Sequence, residues 1–299
     1  MSTQGAGPGA AAPPRPAPVR PTLDQITAQI EELPAPPVSL AAVIAACDDP
    51  EVTVGQLAQR ILQDQHLTAA ILKLANSAFY GLSRRITTVT EAIGLLGFST
   101  IKSLAISSHT YRLLNRPLPG YAMAQGEIWR HSAAVAMTAR MLAVEVRLAP
   151  VEEAFIAGLL HDVGKIVLSA HLEQAFDVVV ELSQEHHVPF VEAERRVLGF
   201  DHAELGALVT QRWNFPPELV EAIRFHHEPA KATLRPRLCA VVHLADAVCV
   251  MLGVGLGVDG LAYQVDGHAL GVLGYDRERL ERLIDQVEPV LSAGDFRLE

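Results

Sequence analysis

Phe155-Ile-Ala-Gly-Leu-Leu-His-Asp-Val-Gly-Lys165 is an apolar run that ends abruptly in a histidine and an aspartate. Read at helical spacing, Asp162 stands seven residues after Phe155 and three after Leu159, so it shares their face. A carboxylate on a core-facing stripe must be neutral, hydrogen-bonded, ion-paired or metal-bound. The helical period continues on both sides of this stretch, and nothing reads as a sustained alternating strand. The fold class is therefore all-α.

From Thr22 the chain reads as short helical runs punctuated by turn signals. After Pro34-Ala-Pro-Pro37 come runs at 38–46, 54–64 with Thr53 as N-cap, 66–78, 88–97 and 99–114. Gly81 suits a C-cap and Asn76 a satisfied polar group. Asn115-Arg-Pro-Leu-Pro-Gly120 is the best internal boundary, since two prolines and a glycine follow a long helix. A second set follows at 122–147, 151–169, 171–187, 189–198, 201–213, 216–227 and 234–252, with a Gly-rich turn at 253–260 and a helix near 276–293. Residues 1–21 hold six of the 19 prolines among Ala and Gly and read as an extended, disordered tail.

Composition narrows the function classes. The chain has 299 residues, 24 basic against 34 acidic, and a formal net charge of -10. No Lys/Arg cluster is dense enough to track a phosphate backbone, which speaks against a nucleic acid polymer as partner. Cys47, Cys239 and Cys249 sit in apolar runs without CxxC spacing, as in a reducing compartment. The longest uncharged apolar stretch, Ala247 to Val258, is short and Gly-rich. A cytoplasmic protein without a membrane partner is the expectation.

Ten of the 12 histidines lie at or after residue 131, so a polar site is expected in the second set. Asp246 is surrounded on its helix by Val242, Leu244, Ala245, Ala247 and Val250, with no solvated face. His131 shares a stripe with Val135, Thr138 and Leu142, and His226 and His227 continue the stripe of Leu219, Ala222 and Ile223. Any one of these histidines alone reads as a core residue with a backbone partner. Together, imidazole nitrogens and carboxylate oxygens at one site suit a borderline divalent metal such as Fe, Mn, Zn or Ni. Spacing alone does not choose among them, because His186-His187 is a second doublet on a comparable stripe.

The segment Leu159-Leu-His-Asp-Val-Gly-Lys165 resembles the signature of the HD superfamily of metal-dependent phosphohydrolases, with His131 and Asp246 matching its flanking His and Asp. Roughly residues 26–250 resemble the HDOD domain, a divergent relative of the HD and HD-GYP domains of bacterial signalling proteins. The matching words are Leu33-Pro-Ala-Pro-Pro37, Ile71-Leu-Lys-Leu-Ala-Asn-Ser77, Phe79-Tyr-Gly81 and Thr90-Glu-Ala-Ile-Gly-Leu-Leu-Gly97. Later come Trp129-Arg-His-Ser132, Asp201-His-Ala-Glu-Leu-Gly206, Trp213-Asn-Phe-Pro216 and Ala222-Ile-Arg-Phe-His-His227.

The resemblance implies a five-helix N-terminal subdomain packed on an HD-like bundle. It sets an HDOD domain at 22–254, divided into 22–116 and 117–254, with a helical extension at 255–299. It also implies a metal held by His131, His161, Asp162 and Asp246, with Asp162 bridging to a second held by His202, His226 and His227. Glu127 resembles the extra carboxylate of trinuclear versions. Lys165, one turn after His161, would meet a substrate phosphate, unless it is a surface lysine. One departure stands out: Glu228-Pro-Ala-Lys-Ala-Thr-Leu-Arg235 occupies the place of the Gly-Tyr-Pro motif after the His doublet.

Two functions follow as expectations. The first is a regulatory module that binds signalling proteins, or a nucleotide or cyclic dinucleotide ligand, around a divalent centre. The second is a metal-dependent phosphohydrolase acting on a nucleotide or cyclic nucleotide phosphodiester, with Asp162 and Lys165 as its catalytic residues. Regulation is expected from a separate protein, a ligand or homo-oligomerisation.

Overall fold

The computed structural model of the chain describes residues 20–77, 80, 82, 84–255, 257–260 and 263–293. Among them are fourteen α-helices and no sheet: α1 (Leu23–Glu32), α2 (Val38–Asp48), α3 (Val54–Leu62), α4 (Gln65–Ala75), α5 (Val89–Leu114), α6 (Glu127–Glu145), α7 (Val151–Leu160), α8 (Lys165–His186), α9 (Phe190–Leu198), α10 (His202–Arg212), α11 (Pro217–Arg224), α12 (Pro236–Met251), α13 (Gly267–Leu273) and α14 (Arg277–Ala293). Of the tail, Arg20 and Pro21 are described, and the Arg20 guanidinium donates to the carbonyls of Arg196 and Val197. Phe79 and the expected C-cap Gly81 lie outside the described residues.

The helix starts follow local chemistry. Thr22 and Thr53 form capping boxes with Gln25 and Gln56, and Asp64, Thr88 and Asp201 cap α4, α5 and α10 through their side chains. Asn76 ends α4 as the satisfied polar group the sequence suggests: its amide donates to Leu72 O and Ile86 O and accepts from Ile86 N. The two runs read at 88–97 and 99–114 form one element, α5, bent at Gly97, where φ is 79°.

Two apolar cores divide the protein. The smaller collects Leu40, Val43, Leu57, Ile61, Ile71 and Ile93 from α2 to α5. The larger runs from α6 to α14 and takes in Ile106, Leu113 and Leu114 from the far half of α5. Helix α1 joins the larger core through Ile26 and Ile30, and Gln29 meets His171 on α8, so α1 packs with the second body and not with the first. The extension after residue 254 is likewise built in, through Leu273, Leu283, Val287 and Leu291, and it contains α13 besides the expected helix.

Among the described residues a polar clamp joins the two bodies. Glu152 of α7 accepts from Ser103 of α5 at 2.6 Å and pairs with Arg140 of α6 at 2.9 Å, and that guanidinium also lies over the Tyr80 ring. Two stretches, Val89–Leu114 and Val151–His186, are long and apolar enough to cross a membrane. The first is bent at Gly97, and the second is two helices, α7 and α8, whose most apolar 18-residue window is 83% buried inside the protein.

The run expected at 151–169 breaks into α7 and α8 around the tight turn His161-Asp-Val-Gly164, which is closed by bonds from Val163 N to Leu160 O and from Lys165 N to Asp162 O. Packing dictates that turn. A Cβ on Gly164 would lie 2.0 Å from His202 O and 2.4 Å from Gly206 N, so only glycine lets the turn press against α10.

Helix α12, which carries Asp246, is anchored at its start by Glu221 of α11. This carboxylate accepts from the amides of Thr233, Leu234 and Arg235 at 2.7 to 3.0 Å. Burial opposes its ionisation, but these amides prevail and hold its pKa below the ordinary 4.5. The stabilisation is therefore complete above 4.5 and lost as pH falls through the lowered folded-state value. Glu221→Gln is expected to cost about 1–2 kcal/mol at neutral pH. Thermal melts of variant and wild type should converge between about pH 5 and pH 3; a gap independent of pH would contradict the charged cap.

Candidate metal centre

Five elements deliver one cluster. His131 comes from the first turns of α6, His161 and Asp162 from the α7–α8 turn, His202 from the start of α10, His226 and His227 from the turn after α11, and Asp246 from the middle of α12. All seven have ligand atoms in three overlapping groups, His131/His161/Asp162, His161/His226/Asp246 and His202/His226/His227, each within 4.8 Å. All but the half-buried His227 are buried.

Asp162 links the groups. Its Oδ2 faces His161 Nε2 at 3.2 Å and His131 Nε2 at 3.6 Å, while its Oδ1 faces His202 Nε2 at 3.4 Å. Asp246 Oδ1 lies 3.0 Å from His131 Nε2 and 3.7 Å from His161 Nε2. His202 Nε2 and His227 Nε2 are 2.9 Å apart.

The outer ring nitrogens are already committed. Nδ1–H donates to Val254 O in His131 (2.9 Å), to Gly158 O in His161 (2.7 Å), to Ile223 O in His226 (2.7 Å) and to Glu194 Oε2 in His202 (2.8 Å). That assignment follows from the network: each outer partner is an acceptor only, so each neutral ring turns an Nε2 lone pair inward. Inside, lone pairs then face carboxylate oxygens and one another. His161 Nε2 and His226 Nε2 are buried and, among the described residues, meet no hydrogen-bond partner. Such orphans cost roughly 1–3 kcal/mol each unless a proton or cation joins them. Mixed imidazole and carboxylate donors with orphaned, buried, convergent lone pairs fit a borderline divalent metal.

The electrostatics reflect the same crowding. Without a cation a proton takes its role at His161: burial disfavours the charged ring, yet Asp162 and Asp246 outweigh it and lift its pKa to about 10, so a metal there displaces a proton. Burial, reinforced by neighbouring histidines, drives His226 and His227 well below the usual imidazole range. Burial would raise Asp162, but His161 and Lys165 hold it well below an ordinary carboxylate.

Lys165 is not a surface lysine. It is 2% exposed, with Nζ 2.5 Å from Asp162 Oδ2 and 5.4 Å from the Tyr121 ring centre. A cavity of about 510 Å³ opens beside it, with Asp162, His202, His227 and Asp246 at its floor and Phe190, Arg195, Glu228 and Tyr263 in its walls. Glu127 stands apart. Its carboxylate accepts from Ala124 N at 2.6 Å at the start of its own helix, and among the described residues it belongs to none of the three ligand groups. The expected third-metal carboxylate is therefore a helix-start acceptor here. His186 and His187 end α8 in solvent, far from this chemistry in the fold.

Three supporting residues were not singled out in the sequence. Glu194 is fully buried and accepts from Tyr121 Oη (2.6 Å), His202 N (3.1 Å) and His202 Nδ1 (2.8 Å). His243 donates through Nδ1 to His226 O and accepts Asp266 N–H at Nε2. Arg195 ties Asp201, the cap of α10, to Glu228, the residue after the His doublet. Glu194 was discoverable: it lies on the stripe of Val191, Val197 and Leu198, the argument that exposed Asp246.

The fold and centre thus define a two-core helical protein with a buried His/Asp cluster at the floor of a cavity. The HDOD domain profile matches residues 33–229, and the chain belongs to the HDOD family. An HDOD domain protein of unknown function from Geobacter sulfurreducens superposes with a TM-score of 0.73 at 26% identity, covering 92% of this chain and 99% of that one. A Shewanella amazonensis SB2B protein provisionally named a phosphohydrolase gives 0.69 at 24% identity, over 90% and 95% of the two chains. A Marinobacter aquaeolei VT8 protein provisionally named for signal transduction gives 0.70 at 24%, over 90% and 63%. An uncharacterized Treponema pallidum (strain Nichols) protein is 28% identical over 203 residues, which span 68% of this chain but only 39% of that relative.

Glu194→Ala would strand the Tyr121 hydroxyl and two His202 donors in the interior. The expected loss is about 3 kcal/mol, read as a lower thermal midpoint and partly restored in Glu194→Gln. An unchanged midpoint would mean that these bonds contribute nothing in solution.

Proposed function

We propose that the chain is a bacterial regulatory HDOD protein whose second helical body holds a divalent metal centre facing a ligand pocket. One observation carries the reading: the inward Nε2 atoms of His131, His161, His202 and His226 converge with two buried carboxylates while their Nδ1–H groups are spent outward. His131, His161, Asp162 and Asp246 would hold one ion and His202, His226 and His227 a second, with Asp162 shared; Fe, Mn, Zn and Ni all suit these donors. Bound there, the ions supply Lewis-acid stabilisation of negative charge on a phosphoryl group.

The chain's own residues supply the rest. The cavity is of the size that takes a nucleotide or part of a cyclic dinucleotide. Lys165, held against Asp162, offers an ammonium to a phosphoryl oxygen at the cavity floor. The provisional names of the fold neighbours, one for signalling and one for phosphohydrolysis, agree with such a role. Signalling proteins are the expected macromolecular partners.

The second reading, a metal-dependent phosphodiesterase, is favoured by Lys165 itself, a buried ammonium that lines the cavity beside the proposed ligand carboxylate, where a phosphoryl group would meet it. Lys165 would then orient the phosphoryl group, and Asp162 would hold the lysine until the ligand arrives. The segment Glu228–Arg235, in place of Gly-Tyr-Pro, separates this chain from the cyclic dinucleotide enzymes it resembles.

Elemental analysis of wild type beside Asp162→Ala and His202→Ala tests the centre. Two ions per chain are expected in wild type, with loss in both variants and a lower thermal midpoint for the stripped proteins. A wild type that holds no metal after reconstitution would overturn the proposal. Lys165→Ala should retain the ions, and if the chain hydrolyses nucleotide phosphodiesters it should abolish turnover; unchanged turnover would remove Lys165 from the reaction.

A further inference from the structure

The outer wall of the centre lies beyond the stretch that the family profile matches; three of its residues touch ligand histidines and a fourth reaches one through His243. Val254 O accepts the Nδ1–H of His131 at 2.9 Å. Gly255, with φ 63°, lies so close to α6 that a Cβ would stand 2.7 Å from Glu127 O and 2.8 Å from His131 Cβ. The Tyr263 ring packs against His227 at 5.6 Å and stacks on His243 at 5.9 Å. Asp266 N donates at 2.8 Å to His243 Nε2, and His243 in turn donates to the carbonyl of His226. His131, His226 and His227 are thus each touched by this wall directly or through one ring.

We propose that these residues form a retaining shield for the bound cation. Val254 and Gly255 are positioning residues that fix the ring of His131, and Tyr263 closes the solvent side of His227. A ring tied by a single Nδ1–H bond takes its orientation from its acceptor, and the apolar shell around a metal site sets solvent access. Any side chain at 255 must push the chain off α6 and move Val254 O with it, besides the strain of a left-handed φ. Tyr263 lines the same cavity as His227, and its ring covers one side of that half-buried imidazole. The inference rests on the metal reading above but concerns retention rather than the ligand set.

The experiment loads the full chain with Co²⁺, records its visible absorption spectrum, and follows loss of the ion to excess EDTA, with thermal melts of the apo-proteins as a folding control. Tyr263→Ala should bind the same number of ions yet release them about tenfold faster or more. Tyr263→Phe, which keeps the ring but gives up the hydroxyl's contacts with His243 O and Asp246, should release the ions far more slowly than Tyr263→Ala. Gly255→Ala should alter the cobalt spectrum and weaken binding; if it fails to fold, the Tyr263 pair still decides. Equal release from Tyr263→Ala and wild type would overturn the shield while leaving the centre intact, and so would a Phe variant as leaky as Ala. A wild type that takes up no Co²⁺ would overturn the metal reading and the shield together.

Discussion

The Asp162 carboxylate is the constraint around which this protein is arranged. It is 1% exposed, and one oxygen faces His131, His161 and Lys165 while the other faces His202. A charge so placed is tolerable only where compensating groups arrive from several directions at once. That requirement explains why the α7–α8 turn is tight, why Gly164 lets it press on α10, and why α6, α10, α11 and α12 all direct a ligand-bearing residue to the same point.

Around that point the protein spends its hydrogen bonds on orientation. Val254, Gly158, Ile223 and Glu194 each take an outer Nδ1–H, which leaves the inner nitrogens committed to one task. Glu194 also takes the hydroxyl of Tyr121, in the connection between the two bodies, so the geometry of His202 depends on how that connection is seated. Gly120 reinforces the seating, since its amide donates to Ser169 of α8.

Much of this was legible in the sequence because burial of a polar residue leaves a periodic trace. Asp246 amid Val242, Leu244 and Val248, and Asp162 in register with Phe155 and Leu159, announce themselves as inward carboxylates. What periodicity cannot do is decide between equivalent candidates. His186-His187 reads as well as His226-His227, and only the packing of α8 puts the former in solvent. Glu127 and Lys165 illustrate the same limit in opposite directions. Each has a plausible exposed reading, but the first finds an acceptor role at its own helix start and the second is drawn inside by Asp162. The wall around Tyr263 left no signal, because its role depends on where an irregular segment returns to the bundle.

Helix α5 contributes Val89, Ile93, Ile101 and Leu104 to the smaller core and Ile106, Leu113 and Leu114 to the larger. Neither body therefore owns the helix. Six of its buried apolar residues face the smaller core and three the larger, so unfolding of either body would expose part of a helix against which the other packs. The boundary that sequence punctuation draws after residue 114 therefore falls later than the change of core, which comes between Ala105 and Ile106 inside one continuous helix, and the two bodies are coupled through it.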